Sequence, residues 1–125
     1  MPEQDAKAVI LAVDDAPENL DIVKNILVPD YVVKAAISGM VALKIAARKP
    51  PDLILLDIMM PGMDGYEVCR QLKNDSSTVH IPVIFLSGEH DSSSKAKGIE
   101  LGAADFITKP IDTLILKASV REHLG

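Results

Sequence analysis

The sequence has a single cysteine, Cys69, so no disulfide can close within the chain. It lies between Val68 and Leu72 in a helical pattern of apolar residues, the setting of a buried, inert thiol rather than a reactive one. Positive charge is also short. Against 18 Asp and Glu stand only 13 Lys and Arg, a net charge of −5. This argues against nucleic acid as a primary ligand, because phosphate backbones demand concentrated cations. No block of like charge forms a binding tail. The strongest apolar run, Leu53 to Met60, is broken by Asp57, stopped by Pro61 and far too short to span a bilayer. The stretch Met1 to Lys7 is polar and acidic, unlike a signal peptide, so a cytoplasmic location without membrane contact is expected. Linkers, internal repeats and low-complexity tracts are missing as well, which makes residues 1–125 one expected domain.

What is present is ordinary globular material, 48% apolar and 25% charged over 125 residues. A chain of this length buries roughly two-thirds of its unfolded surface and needs no disulfide or structural metal to hold a core. Short β-branched runs alternate with longer helical patterns. Ala8 to Val13 is almost continuously apolar, as for a strand covered on both faces. Pro17 suits a first helical turn, and Leu20, Val23, Ile26 and Leu27 recur at helical spacing until Pro29 and Asp30. Tyr31 to Ile37 reads as the second strand. Ser38 caps a helix carrying Ala42, Leu43 and Ala46, which ends before Pro50 and Pro51.

Leu53 to Leu56 forms the third strand, and Asp64 with Glu67 three residues on has the spacing of a capping box ahead of Val68 and Leu72. Ile81 to Leu86 and Asp105 to Thr108 give the fourth and fifth strands. Between them Asp91 to Leu101, with three consecutive serines and Gly98, has poor helix propensity. A last helix begins near Asp112. Five strands alternating with five helices predict an α/β fold, a doubly wound parallel sheet with helices on both faces, since each parallel connection needs a right-handed crossover. Ligands of such sheets bind beyond the carboxyl ends of the strands.

Polar residues gather at that edge. Asp14 and Asp15 follow the first strand, Asp57 ends the third, Ser87 the fourth and Lys109 the fifth, while the second strand, ending in Ile37 and Ser38, lies at the margin. Taken singly, these are common as helix caps, loop residues or surface charges. Together they are harder to explain that way, because nothing about capping brings a lysine to three acids. Carboxylates about 4 Å apart repel by on the order of 4 kcal/mol per pair at an effective dielectric near 20, so such a cluster persists by protonation or by holding a cation. Oxygen donors without His or Cys favour a hard ion, magnesium or a relative such as manganese, over zinc. A carboxylate is also a nucleophile that forms an aspartyl phosphate, and Asp57, ending a central strand, is the candidate. Magnesium, Lys109 and the Ser87 hydroxyl match the three phosphoryl oxygens that need neutralising.

The acidic pair in ILAVDD, the block DLILLDIMMPGMDGYEV, the turn FLSGE and the block GAADFITKP resemble the bacterial response-regulator receiver family, from Val9 to the last helix. The resemblance implies a flavodoxin-like strand order 2-1-3-4-5. It implies that Asp57 is phosphorylated by a sensor histidine kinase or phosphotransfer protein. Asp15, Asp57 and the Met59 carbonyl would bind magnesium directly and Asp14 through water. It assigns Lys109 to the phosphoryl group, Ser87 and Phe106 to a switch pair, and Lys109–Pro110 to a cis peptide bond. Met59 and Glu89 occupy places that tune phosphate lifetime, and Met59 cannot orient an attacking water as an amide could, so slow phosphate loss is expected. The face made by the fourth helix, fifth strand and fifth helix would meet an effector domain or partner, with a homodimer on phosphorylation among the outcomes. KAKGIELGAADFITKP and LILKASVREHL look similar to receivers fused to cyclic-dinucleotide signalling domains, which points to the amino-terminal module of a longer regulator and leaves a stand-alone function open. His80, His90 and His123 are scattered and given no role.

The resemblance describes a switch that assists its own phosphorylation and dephosphorylation rather than a metabolic enzyme. A magnesium-dependent aspartyl-phosphate phosphatase would resemble a D-x-D motif after the first strand, where this chain has adjacent acids, and would want a cap domain. A flavin-binding module would want a Ser/Thr/Gly-rich loop where this chain has DDAPEN. A receiver-like module working by contact alone typically lacks one of the site residues, and none is missing.

Overall fold

The computed structural model describes residues 7–88 and 92–124. Strands β1 (Val9–Val13), β2 (Val32–Ala36), β3 (Leu53–Asp57), β4 (Val83–Ser87) and β5 (Asp105–Thr108) form one parallel sheet in the order β2-β1-β3-β4-β5. Between and after them run helices α1 (Pro17–Leu27), α2 (Gly39–Arg48), α3 (Gly65–Lys73), α4 (Ser92–Glu100) and α5 (Thr113–Leu124). The fold class and strand order expected from the sequence are those observed.

The pleat divides the strands between two cores. Leu11, Val13, Ile54, Leu56, Val83 and Phe85 face one way, onto Ala42 and Ala46 of α2 and Val68 and Leu72 of α3. Ile10, Ala12, Leu53, Leu55, Ile84 and Leu86 face the other, onto Leu20 and Val23 of α1 and Leu116 and Val120 of α5. Because β3 and β4 are buried on both faces, their sequences show continuous apolar runs and no alternation. Each large aliphatic side chain so buried contributes about 1.5–3 kcal/mol.

Helix starts follow the side-chain chemistry. Ser38 Oγ accepts from the Val41 amide, and Asp112 Oδ1 accepts from the Leu114 and Ile115 amides. Asp64 Oδ1 accepts from the Glu67 amide, but the reciprocal half of the expected capping box is absent. The Glu67 carboxylate turns to Arg70 and Gln71 instead, and these bonds hold it at a pKa of about 2. A charged guanidinium one turn along outcompetes a backbone amide for it.

The fourth strand begins at Val83 rather than Ile81, since Pro82 has no amide to give to the ladder; Ile81 is buried all the same. Gly98 has a packing role that its helix propensity does not reveal. A Cβ there would come within 2.8 Å of the Phe85 ring, so only glycine lets α4 lie this close to β4. Among the described residues two peptide bonds are cis, Lys109–Pro110 and the unforeseen Val28–Pro29. Cys69 is fully buried, its thiol against the Leu101 carbonyl, and burial pushes its pKa up, as suits an inert thiol.

Candidate functional site

Strand register builds the site. Val13 lies opposite Leu56, so the next residues, Asp14 and Asp57, leave the sheet side by side. Asp57 pairs with Leu86 and Ser87 with Thr108, which sets Ser87 and Lys109 on the other flank of Asp57. The Lys109 amide donates to the Ser87 carbonyl at 2.7 Å, extending the ladder by one bond.

The Lys109 ammonium closes the cluster. It donates to Asp57 Oδ1 and to Asp14 Oδ2, both at 3.1 Å. Asp14 and Asp57 are each only 4% exposed, Ser87 is fully buried, and Asp15 faces solvent. Asp14 also accepts from the Ala16 amide at 2.9 Å, so it shapes the turn into α1, where Ala16 itself offers no side-chain cap. Asp14 thus holds the turn into α1 and stands among the clustered acids at once.

The electrostatics are those of crowded negative charge. Asp14, Asp15 and Asp57 each present an oxygen within 4.8 Å of the others. At that separation the buried pair Asp14 and Asp57 repels by at least about 3.5 kcal/mol at an effective dielectric near 20. Burial pushes the Asp57 carboxyl up and the charges of Asp14 and Asp15 push it further, while the Lys109 hydrogen bond pulls it down; the balance is a raised pKa. Burial alone would lower the Lys109 ammonium, but its bonds to Asp14 and Asp57 more than offset this and raise it.

One lysine against three carboxylates leaves net negative charge facing an open edge. Among the described residues the donor set is oxygen only, with no His or Cys in the cluster, which fits a hard divalent cation such as magnesium.

The remaining predicted residues are placed as follows. Met59 lies two residues past Asp57 and is 66% exposed. Phe106, in β5, is half-buried with its ring 6.5 Å from that of Phe85. Pro110 follows Lys109 through the cis bond. Glu89 and His90 lie outside the described residues. His80 is exposed, and His123 stands 3.4 Å from Asp105 at the far end of β5, away from the acids.

Two features escaped the sequence reading. One is the Lys109–Asp14 bond. The other is Gly65, whose amide donates to the Ile58 carbonyl and where a Cβ would fall 2.3 Å from the Asp57 carbonyl oxygen. A glycine directly after a helix-capping aspartate was the signal that such close approach was needed.

The family model of the response regulator receiver domain matches residues 10–121, nearly the whole chain. The chain belongs to this family. This receiver is 49% identical over 115 residues to the response regulator PleD of Caulobacter vibrioides, a match covering 91% of this chain and 25% of that protein. It is 48% identical over 119 residues to a probable cyclic di-GMP phosphodiesterase of Vibrio cholerae, covering 95% of this chain and 27% of the other. The crystal structure of the Vibrio cholerae chemotaxis protein CheY4 superposes with a TM-score of 0.88 at 30% identity, covering 94% of this receiver and 98% of that chain. The receiver thus spans about a quarter of the length of the two relatives matched first. Among its described residues no helix is long and apolar enough to cross a membrane.

Proposed function

We propose that this receiver is a phosphorylation-activated switch whose acceptor is Asp57 and whose donor is the phosphohistidine of a sensor kinase or phosphotransfer protein. The observation that carries the reading is the buried Asp57 carboxylate held between two further acids and a lysine that reaches it at 3.1 Å. An Asp57 oxygen attacks phosphorus, the phosphorus–nitrogen bond to the donor imidazole breaks, and the imidazole leaves with that electron pair.

Asp15, Asp57 and the Met59 carbonyl would hold magnesium, with Asp14 acting through water. The ion's contribution when bound is to neutralise phosphoryl charge and relieve the repulsion among the acids. Lys109 exchanges its bonds to Asp14 and Asp57 for one to a phosphoryl oxygen. Ser87, on the neighbouring strand, bonds another, and Phe106 follows the hydroxyl inward. That movement alters the face formed by α4, β5 and α5, where Ile99, Leu114 and Ile115 are exposed, and an effector domain, a separate partner or a second copy reads the change there.

Met59 and Glu89 set the lifetime of the phosphorylated state. We take the module to be the amino-terminal, cytoplasmic part of a longer regulator, and the name of one relative, the probable cyclic di-GMP phosphodiesterase of Vibrio cholerae, makes cyclic di-GMP turnover the output to test first.

The decisive experiment is incubation with acetyl phosphate and magnesium, followed by intact-mass measurement. A phosphate-sized gain that disappears in Asp57→Asn is the expected result. No gain in the wild-type chain, or one that survives in Asp57→Asn, sinks the proposal.

A further inference from the structure

Helix α4 is held by little apolar burial. Its apolar side chains Ala96 and Ile99 are both exposed, and Gly98 is the buried position among residues 94–100. A helix without a buried face depends for its place on a few individual contacts.

Those contacts converge on Tyr66 of α3 and Phe85 of β4. The Tyr66 hydroxyl donates to the Ser94 carbonyl at 3.3 Å, and the Lys97 ammonium stands 4.4 Å from the centre of the Tyr66 ring. Gly98 lies against the Phe85 ring. Phe85 meets Tyr66 edge-on at 5.5 Å between ring centres and Phe106 at 6.5 Å. Tyr66 also directly follows Gly65, whose amide is bonded to the Ile58 carbonyl beside Asp57. One side chain is therefore tied at its backbone to the Asp57 loop and at its tip to α4.

We propose that Tyr66 is a latch that holds α4 to the body of the resting receiver and opens on activation. This rests on the reading of Asp57 as the phosphorylated residue. The latch is closed in the form in which Lys109 still bridges Asp14 and Asp57. Inward rotation of Phe106 disturbs Phe85, the surface on which both Tyr66 and Gly98 rest, and so separates the hydroxyl from the α4 carbonyl. Because the bond exists in only one of two states, its loss biases the equilibrium toward the other. A single neutral hydrogen bond corresponds to a shift of about fivefold, and any ligand of the active state tightens by the same factor.

Tyr66→Phe tests this, since it keeps the ring against Phe85 and Lys97 and removes only the hydroxyl; Lys97→Gln is a second variant that leaves the α3 core untouched. Hydrogen exchange of the α4 amides is measured without phosphoryl donor, and half-saturation by beryllofluoride is measured with magnesium. The latch predicts α4 exchange faster by about fivefold in Tyr66→Phe and beryllofluoride binding tighter by a similar factor. Unchanged α4 exchange overturns the latch. Faster exchange with unchanged beryllofluoride affinity overturns its coupling to activation and leaves Tyr66 a structural brace. A wild-type receiver that fails to take beryllofluoride overturns instead the assignment of Asp57, and the exchange measurement then still decides whether Tyr66 holds the helix.

Discussion

Replacing Gly65 with alanine adds one methyl group where the chain has no room for it. The new Cβ would sit 2.3 Å from the Asp57 carbonyl oxygen, 2.8 Å from the Ile58 Cα and 3.0 Å from the Asp57 carbonyl carbon. All three are backbone atoms, so no side chain can swing aside. Ordinary van der Waals contact begins about 1 Å further out, so α3 and the end of β3 must part by about that much. Gly65 does not have positive φ, so alanine is otherwise acceptable there and would stabilise by about 0.4–1 kcal/mol through the unfolded chain. Overpacking costs about 1–3 kcal/mol, which exceeds that gain.

The expected net loss is therefore about 1–2 kcal/mol, or a melting temperature roughly 4–8 °C lower for a domain of this size. The functional loss should be larger than the loss of stability implies. A displacement near 1 Å at a reacting group costs on the order of 100-fold in rate. The assays are urea unfolding and the initial rate of acetyl phosphate incorporation by intact mass. Gly88→Ala is the matched control, because a Cβ at Gly88 meets nothing within 4 Å. If Gly65→Ala equals the wild type in both assays, the claim that α3 positions Asp57 through this contact is wrong.

Four further outcomes are expected. Asp15→Ala should weaken magnesium binding by at least the 10–100-fold typical of losing an outer-shell partner, and an unchanged metal titration removes Asp15 from the site. Lys109→Ala should still accept phosphate in part but fail to switch; normal phosphorylation-dependent change in α4 hydrogen exchange would refute that role. Met59→Asn should shorten the phosphate lifetime, since an amide can orient water where a thioether cannot, and hydrolysis no faster than wild type counts against it.

The fourth concerns acid stability. Burial alone would raise the Asp105 carboxyl, but the Ser119 hydroxyl at 2.6 Å, the Phe106 amide and His123 together hold it below its ordinary value of 3.8. A carboxylate with a depressed folded-state pKa binds fewer protons folded than unfolded. Its contribution is complete above the unfolded value and is lost as pH falls through the depressed one. The stability difference between wild type and Asp105→Asn should therefore shrink as pH drops below 3.8, and a difference independent of pH in chemical denaturation would contradict this.

The sequence by itself determined the architecture and the membership of the acidic edge. Leu53–Leu56 and Val83–Leu86 read as buried strands because a parallel sheet covered by helices leaves no polar alternation in them. Asp14, Asp57, Ser87 and Lys109 were legible as neighbours because each ends a strand, and parallel strand ends share one edge.

Only the tertiary structure decided which groups meet. Glu67 could have bonded its cap or Arg70, and spacing alone does not rank the two. Gly98 read as a weak point of a helix until Phe85 was found beneath it, and Gly65 drew no reading until the Asp57 carbonyl was found beside it. Lys109 with Asp14, and Tyr66 with Ser94, are joined across 95 and 28 positions of chain. The physical reason is that burial patterns and caps are set within a few residues of one another and leave a periodic trace. A contact between distant side chains depends on packing distances of a fraction of an ångström, which no local pattern records.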